Sequence, residues 1–218
     1  MIRVLLVDDH SSFRQPLAFM MQREPDFEVV AQAASLAEGR RVLKDAKEVD
    51  VAVVDLDLPD GNGVDFVRDL RTANPQGMVM VLTASKDRIQ IARAVEAGAA
   101  GVLHKSASIA EIIDAVRGLS EGQQLLSTID VIEMLRLVGE QRERNRDAQA
   151  ALGRLTKRER EVLQALADGL NDKEIADRLH ISTETARTHM VNILGKLGVD
   201  SRLQALVFAV RHGAVKID

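Results

Sequence analysis

The chain has 218 residues, of which 46% are hydrophobic and 28% are charged, values typical of a globular protein with one or two domains. It contains no cysteine, which excludes disulfides, a thiol nucleophile and cysteine-ligated zinc. No uncharged apolar run approaches the roughly 20 residues that a membrane span needs, and Asp8 comes too early for a secretory signal. We therefore expect a cytoplasmic protein with no membrane partner.

The net charge of −4 is unevenly distributed along the chain. Residues 1–124 carry 14 basic and 19 acidic side chains, whereas residues 125–218 carry 15 and 14. The aromatic content of 2% argues against a base-stacking surface for single-stranded nucleic acid. The weakly basic second half remains compatible with a unit that binds double-stranded DNA.

Five short apolar runs in the first half predict β-strands, and sequences with helical spacing lie between them. The runs cover residues 2–7, 27–31, 51–54, 78–82 and 101–103. Strands that are apolar on both faces are typical of a parallel sheet covered by helices. Ser35 with Glu38, and Ser108 with Glu111, have the spacing of capping boxes. Residues 1–121 are therefore predicted to form a flavodoxin-like, doubly wound α/β domain with a five-stranded parallel sheet.

The second half predicts a helical linker over residues 122–152 and a small all-α domain over residues 153–218. The linker has helical apolar spacing at first and then a charged stretch, GEQRERNRDAQAA. It is equally compatible with a dimeric coiled segment and with a solvated helix that has frayed ends. Four helices are expected after it, at about 156–168, 172–179, 183–197 and 201–211, with capping signals at Thr156 and Asn171.

Polar side chains follow the predicted strands, at the edge of the sheet where ligands bind in parallel α/β folds. Asp8 and Asp9 follow the first strand, Asp55 follows the third, Thr83 follows the fourth and Lys105 follows the fifth. Converging carboxylates favour a hard divalent cation such as Mg²⁺, which prefers oxygen ligands. With the ammonium and the hydroxyl they could stabilise a phosphoryl group in transfer. The alternative is that these acids only cap helices and solvate loops.

The segments LLVDDH, VVDLDLPDGNG, VLTAS and AGAAGVLHKSAS resemble the receiver domain of two-component response regulators over about residues 1–120. The resemblance implies that Asp55 accepts a phosphoryl group from a sensor histidine kinase. It also implies that Asp9 binds Mg²⁺ directly and that Asp8 binds it mainly through water. The backbone carbonyl of Asp57 would complete the protein ligands.

The same resemblance makes Thr83 the switch hydroxyl and Lys105 the ammonium that pairs with the phosphoryl group. One position departs from the family pattern. Receiver domains usually have an aromatic residue where this chain has Val102, and that ring moves inward on phosphorylation. Val102 puts this aromatic switch in doubt, although the residues for phosphorylation chemistry are all present.

The run LTKREREVLQALADGLNDKEIADRLHISTETARTHMVNILGKLGV resembles the LuxR-type helix-turn-helix of the NarL/FixJ subfamily, and the match covers about residues 153–215. Arg187 is the best candidate for base readout, because its fork can bond a guanine edge. The residues implied to contact DNA are Lys173, Ser182, Thr183, Arg187, Thr188, His189, Val191, Lys196 and Arg202, with Lys173, His189, Lys196 and Arg202 on phosphates. Residues 153–218 carry 11 basic and 9 acidic side chains, so two copies on a two-fold site are expected.

These observations favour a transcription factor controlled by phosphorylation and not an enzyme with an external substrate. The expected partners are a sensor histidine kinase, double-stranded promoter DNA, a second copy of the chain and RNA polymerase. A phosphatase of the haloacid dehalogenase type is an alternative, since Asp57 follows Asp55 as its pattern requires, but Pro59 stands where that pattern has Thr. A regulator that works without phosphorylation is the other alternative, favoured only by Val102.

Overall fold

The computed structural model describes residues 1–45 and 49–216, and the chain divides into two compact units, residues 1–139 and 140–218. The first unit contains, in chain order, β1 (Ile2–Val7), α1 (Ser11–Met21), β2 (Phe27–Ala33), α2 (Leu36–Asp45), β3 (Val51–Val54), β4 (Asp57–Leu58), β5 (Gly61–Asn62), α3 (Gly63–Ala73), β6 (Met78–Thr83), α4 (Arg88–Glu96), β7 (Gly101–His104), α5 (Ile109–Ser120) and the start of α6 (Thr128–Gly153). After the end of α6, the second unit contains α7 (Lys157–Ala167), α8 (Asp172–Leu179), α9 (Thr183–Leu197) and α10 (Arg202–Arg211).

The main sheet of the first unit is parallel, with the strand order β2-β1-β3-β6-β7. The direction of strand addition reverses between β1 and β3, and a crevice forms there at the carboxyl ends of the strands. Asp8 follows β1 and Asp55 follows β3, so the topology brings these two carboxylates to the same crevice. The five-stranded doubly wound fold predicted from the apolar runs is confirmed.

Helices cover both faces of this sheet, which explains why its strands are apolar along their whole length. Alternate side chains of a strand point to opposite faces. Leu5 and Val7 of β1 pack in one buried cluster with Phe66 of α3, whereas Val4 and Leu6 pack in a second cluster on the other face. The two clusters fix β1 and β3 from both sides, and they hold the site at the carboxyl edge on a rigid base.

The second unit is a small helical domain with one buried core. Leu163, Ile175 and Ile193 come from α7, α8 and α9, and each side chain is at most 1% exposed. Between α8 and α9, His180 adopts a left-handed conformation with φ 53°, and Ser182 then caps α9. This short connection between two helices is the turn of a helix-turn-helix.

Helix α6 occupies most of the predicted linker, and the boundary between the two compact units falls inside it. Ile129 and Ile132 are exposed near its start, whereas Ala151 and Leu152 are buried in the core of the second unit. The ranges 1–121, 122–152 and 153–218, and the coiled segment, stay predictions. None of the helices in the described part of the chain is both long enough and apolar enough to cross a membrane.

Candidate functional site

The crevice beside β1 and β3 gathers a set of carboxylates. Ligand atoms of Asp8, Asp9, His10 and Asp55 all lie within 4.8 Å of one another. Asp8 and Asp55 are buried and Asp9 is exposed, so the cluster has one face open to solvent. Its oxygen-rich composition, with carboxylates that must otherwise repel one another, fits a hard divalent cation such as Mg²⁺.

The Lys105 ammonium lies between two of these acids. Its Nζ atom is 2.7 Å from Asp8 Oδ2 and 2.6 Å from Asp55 Oδ2, and it also lies 5.5 Å from the centre of the Phe13 ring. Burial raises the pKa of the Asp55 carboxyl, and the hydrogen bond from Lys105 opposes this effect. Burial alone would lower the pKa of Lys105, but its hydrogen bonds to both acids raise it. The side chain therefore carries its full positive charge at neutral pH.

Thr83 and the end of β7 form the other side of the crevice. Thr83 is 1% exposed, and its Oγ1 accepts a hydrogen bond of 3.0 Å from the Ser85 backbone N–H. Val102 is partly buried against the core. His104, two residues further along β7, places Nε2 3.2 Å from the Ala84 carbonyl oxygen. The loop after β6 is thus joined to β7 through an imidazole ring.

The Asp57 carboxylate is not one of the grouped ligand atoms of the acidic cluster. Its Oδ1 accepts a hydrogen bond of 3.1 Å from Gln90 Nε2 in α4, and the residue is exposed. Its backbone N–H donates to Asp55 Oδ1 at 3.3 Å. This orientation agrees with the expectation that only the main chain of Asp57 serves the site, although the carbonyl ligand itself stays a prediction.

Four residues that the sequence analysis did not single out also shape this site. His10 Nδ1 lies 2.6 Å from Asp9 Oδ1, and Phe13 packs beneath Lys105. Arg14 donates a hydrogen bond to the Asp8 carbonyl oxygen. A Cβ added to Gly63 would lie 2.0 Å from the Asp55 carbonyl oxygen, so only glycine fits there. His10, Phe13 and Arg14 follow Asp9 within a few residues, and that proximity was the available signal.

The exposed face of α9 presents three of the residues predicted to contact DNA. Arg187, Thr188 and Val191 are exposed, whereas Ala186 and Met190 are buried on the opposite face. The Ser182 hydroxyl caps the helix by accepting a hydrogen bond of 3.0 Å from the Thr185 N–H, and Thr183 and His189 are half-buried. Lys173 is exposed in the first turn of α8. A helix with one polar, accessible face has the form that the major groove admits.

The other two predicted contacts, like Arg187, are engaged in ion pairs within the unit. Lys196 Nζ lies 2.8 and 2.7 Å from the two carboxylate oxygens of Glu159, a residue that is 3% exposed. Burial would raise the pKa of Glu159, but Lys196 and the Thr156 backbone N–H hold it below its usual value. Arg202 donates to Asp172. The structure therefore gives Lys196 and Arg202 partners that the sequence analysis did not identify.

A receiver-type sheet followed by a helix-turn-helix unit is the architecture of a DNA-binding response regulator. Residues 4–117 match the family described as "Response regulator receiver domain". Residues 153–209 match the family described as "Bacterial regulatory proteins, luxR family". The chain belongs to the response regulators of two-component systems that carry a LuxR-type DNA-binding domain.

Curated relatives and solved structures agree with this assignment. The transcriptional regulatory protein LiaR of Bacillus subtilis is 36% identical over 99% of this chain and 100% of its own. The DNA-binding transcriptional activator DevR/DosR of Mycobacterium tuberculosis is 35% identical over 96% of this chain and 94% of its own. The response regulator ChrA, from a heme-sensing two-component system, has a sequence 34% identical to this one over 98% of both chains. Its crystal structure matches the present structure with a TM-score of 0.50. An RcsB–DNA complex shares the fold, with 20% identity, a TM-score of 0.54, and coverage of 96% of this chain and 98% of that one.

Proposed function

We propose that Asp55 accepts a phosphoryl group from a sensor histidine kinase and that its phosphorylation controls dimerisation and promoter binding. The observation that carries this proposal is the position of Lys105 Nζ, within 2.7 Å of both Asp55 and Asp8. An ammonium fixed beside a buried carboxylate at the open edge of the sheet can pair with a phosphoryl group attached to that carboxylate. An acid that served only as a helix cap would have no need of this buried cation.

The chain's own residues can carry the transfer. An Asp55 oxygen forms a bond to phosphorus as the bond between phosphorus and the kinase imidazole nitrogen breaks, and the imidazole leaves with a proton from solvent. Lys105 pairs with one phosphoryl oxygen, and the Thr83 hydroxyl donates to another. Asp8, Asp9 and Asp55, with the backbone carbonyl of Asp57, would hold Mg²⁺, which supplies positive charge against the phosphoryl oxygens.

Dimerisation and DNA binding follow from the second part of the proposal. On phosphorylation, the backbone of the loop after Thr83 shifts, and the shift reaches α4. The exposed surfaces of α4 and α5 form the dimer face. Two copies of the helix-turn-helix then engage double-stranded promoter DNA, with Arg187 reading a base and Lys173 contacting phosphate. The description of DevR/DosR as a DNA-binding transcriptional activator supports this role.

RNA polymerase is the further partner, and the cytoplasm is where kinase, promoter and polymerase meet.

We also propose that catalysis is limited to uptake and loss of the chain's own phosphoryl group. The curated relatives are transcription regulators, which supports a role in binding and signalling. Pro59 follows Asp57 at the position where the dehalogenase-type phosphatase pattern requires Thr. Turnover of a generic aryl phosphate substrate by the full chain would contradict this part of the proposal.

The test of the phosphoacceptor is labelling with radioactive acetyl phosphate in the presence of MgCl2. Asp55→Asn removes the nucleophilic carboxylate and should abolish labelling. Asp57→Asn is the matched control, because it removes a carboxylate two residues away whose side chain points to Gln90, and it should retain most of the label. Full labelling of Asp55→Asn would show that another residue accepts the phosphoryl group.

A further inference from the structure

One carboxylate connects three helices on the side of the second unit that carries predicted DNA contacts. Asp172 is the first residue of α8, and its Oδ2 accepts a hydrogen bond of 3.3 Å from Arg187 Nε in α9. Its Oδ1 accepts a hydrogen bond from a terminal nitrogen of Arg202, the first residue of α10. The two arginines are the longest basic side chains among the predicted DNA contacts, and the same acid holds both.

The geometry leaves the recognition end of Arg187 available. Among the residues that the structure describes, the only hydrogen bond of the Arg187 guanidinium is the one from Nε. Its NH1 atom lies 3.9 Å from a Glu184 carboxylate oxygen, beyond hydrogen-bond distance. The two terminal nitrogens are the pair that bonds O6 and N7 of guanine. Asp172 therefore fixes the guanidinium from behind without occupying the atoms that read a base.

An acid at this place has two separate effects on DNA binding. Its negative charge repels phosphates and so weakens binding to any DNA sequence. Holding a flexible arginine in its bound orientation lowers the ordering cost of recognition, and that gain exists only where the arginine meets its base. The repulsion lowers both affinities alike, so the orientation of the arginine is what widens the difference in affinity between a specific site and other DNA.

We propose that Asp172, itself held by Arg202, is a positioning residue for sequence recognition that acts through Arg187. The proposal rests on the proposed base contact of Arg187. A purely structural role is the competing explanation, since an acid at the start of α8 also interacts favourably with the helix dipole. That role would change the stability of the unit and leave the ratio of specific to nonspecific affinity unaltered.

The experiment uses the full-length chain and two duplexes, one enriched from a random library by the wild-type protein and one with its sequence shuffled. Dissociation constants for both give the specificity ratio. In Asp172→Asn we expect this ratio to fall about five- to tenfold, with a small gain in affinity for the shuffled duplex. Asp172→Glu, which keeps the charge but moves it by one methylene, should also lower the ratio without that gain.

The matched control is Asp168→Asn, which removes the same charge from another acid paired with an arginine, Arg178. It should leave the ratio unchanged. In an Arg187→Ala background, Asp172→Asn should no longer alter the specificity ratio, because the guanidinium that Asp172 holds is absent. If Arg187→Ala lowers the ratio and Asp172→Asn does not, the positioning role is overturned and the base contact stands. If Arg187→Ala itself leaves the ratio unchanged, both the base contact and the inference are overturned.

Discussion

Replacing Lys196 tests whether it stabilises the fold or contacts DNA. In Lys196→Ala, the carboxylate of Glu159, a residue that is 3% exposed, keeps only the hydrogen bonds it shares with Thr156 in the capping box of α7. Removing one partner of a fully buried ion pair costs about 3–5 kcal/mol. The Lys196 side chain is 32% exposed, so water can solvate part of the orphaned charge. We therefore expect a loss of about 2 kcal/mol in the free energy of unfolding.

Differential scanning calorimetry is the suitable assay, since the chain has no Trp or Tyr to report unfolding by fluorescence. For a unit of this size, about 2 kcal/mol corresponds to a fall of roughly 10 °C in Tm of the second unit. Lys173→Ala, which truncates an exposed lysine, is the control and should leave this transition in place. A wild-type transition in Lys196→Ala, together with weaker DNA binding, would refute the stabilising role and restore the phosphate contact.

The pH dependence of this loss has a defined sign. The folded pKa of Glu159 lies below its ordinary value of 4.5, so the pair contributes stability above that value and loses it as pH falls through the folded pKa. The difference in unfolding free energy between wild type and Lys196→Ala should therefore be constant near neutral pH. It should shrink in acid, as the carboxylate of the wild-type protein takes up a proton. An undiminished difference in strong acid would mean that Lys196 stabilises the unit by packing alone.

Three further outcomes are expected. Lys105→Ala should still accept a phosphoryl group from acetyl phosphate. It should lose most of the increase in DNA affinity that phosphorylation causes, because no ammonium then links the phosphoryl group to β7. A wild-type increase in a gel-shift titration would contradict this. Lys173→Ala should weaken binding to all duplexes alike and lower the salt slope by about one, and a loss confined to one sequence would show a base contact instead. Because Val102 is a short β-branched side chain, beryllofluoride should shift the dimer dissociation constant less than about a hundredfold, which is about 2.7 kcal/mol. Analytical ultracentrifugation measures this, and a larger shift would show that Val102 does not weaken the switch.

The strands and most helix starts could be predicted because their signals are local. An apolar run bounded by polar residues defines a buried strand, and the capping boxes at Ser108, Thr156 and Asn171 form as the sequence predicts. The pair at Ser35 and Glu38 forms only in part. Glu38 N–H donates to the Ser35 hydroxyl, but the Glu38 carboxylate bonds the Ala34 N–H instead of that of Ser35.

The ion pairs of the second unit that escaped prediction join residues distant in the chain. Lys196 and Glu159 are 37 positions apart, and Arg202 and Asp172 are 30 apart. Nothing in the spacing of these charges indicates that they meet, because their proximity depends on how the helices pack. The acidic crevice was predictable for the opposite reason: the carboxyl ends of neighbouring parallel strands must meet at one edge, and Asp8 and Asp55 follow such strands.

We propose that the chemical state of Asp55 sets the affinity of the chain for DNA. The most direct measurement is the dissociation constant of the full-length chain for its library-selected duplex, with and without acetyl phosphate and MgCl2, beside the Asp55→Asn variant. We predict tighter binding of the wild-type protein after phosphorylation and no response of Asp55→Asn. An equal response of both proteins, or a labelled wild-type protein whose affinity for DNA is unchanged, would contradict the claim.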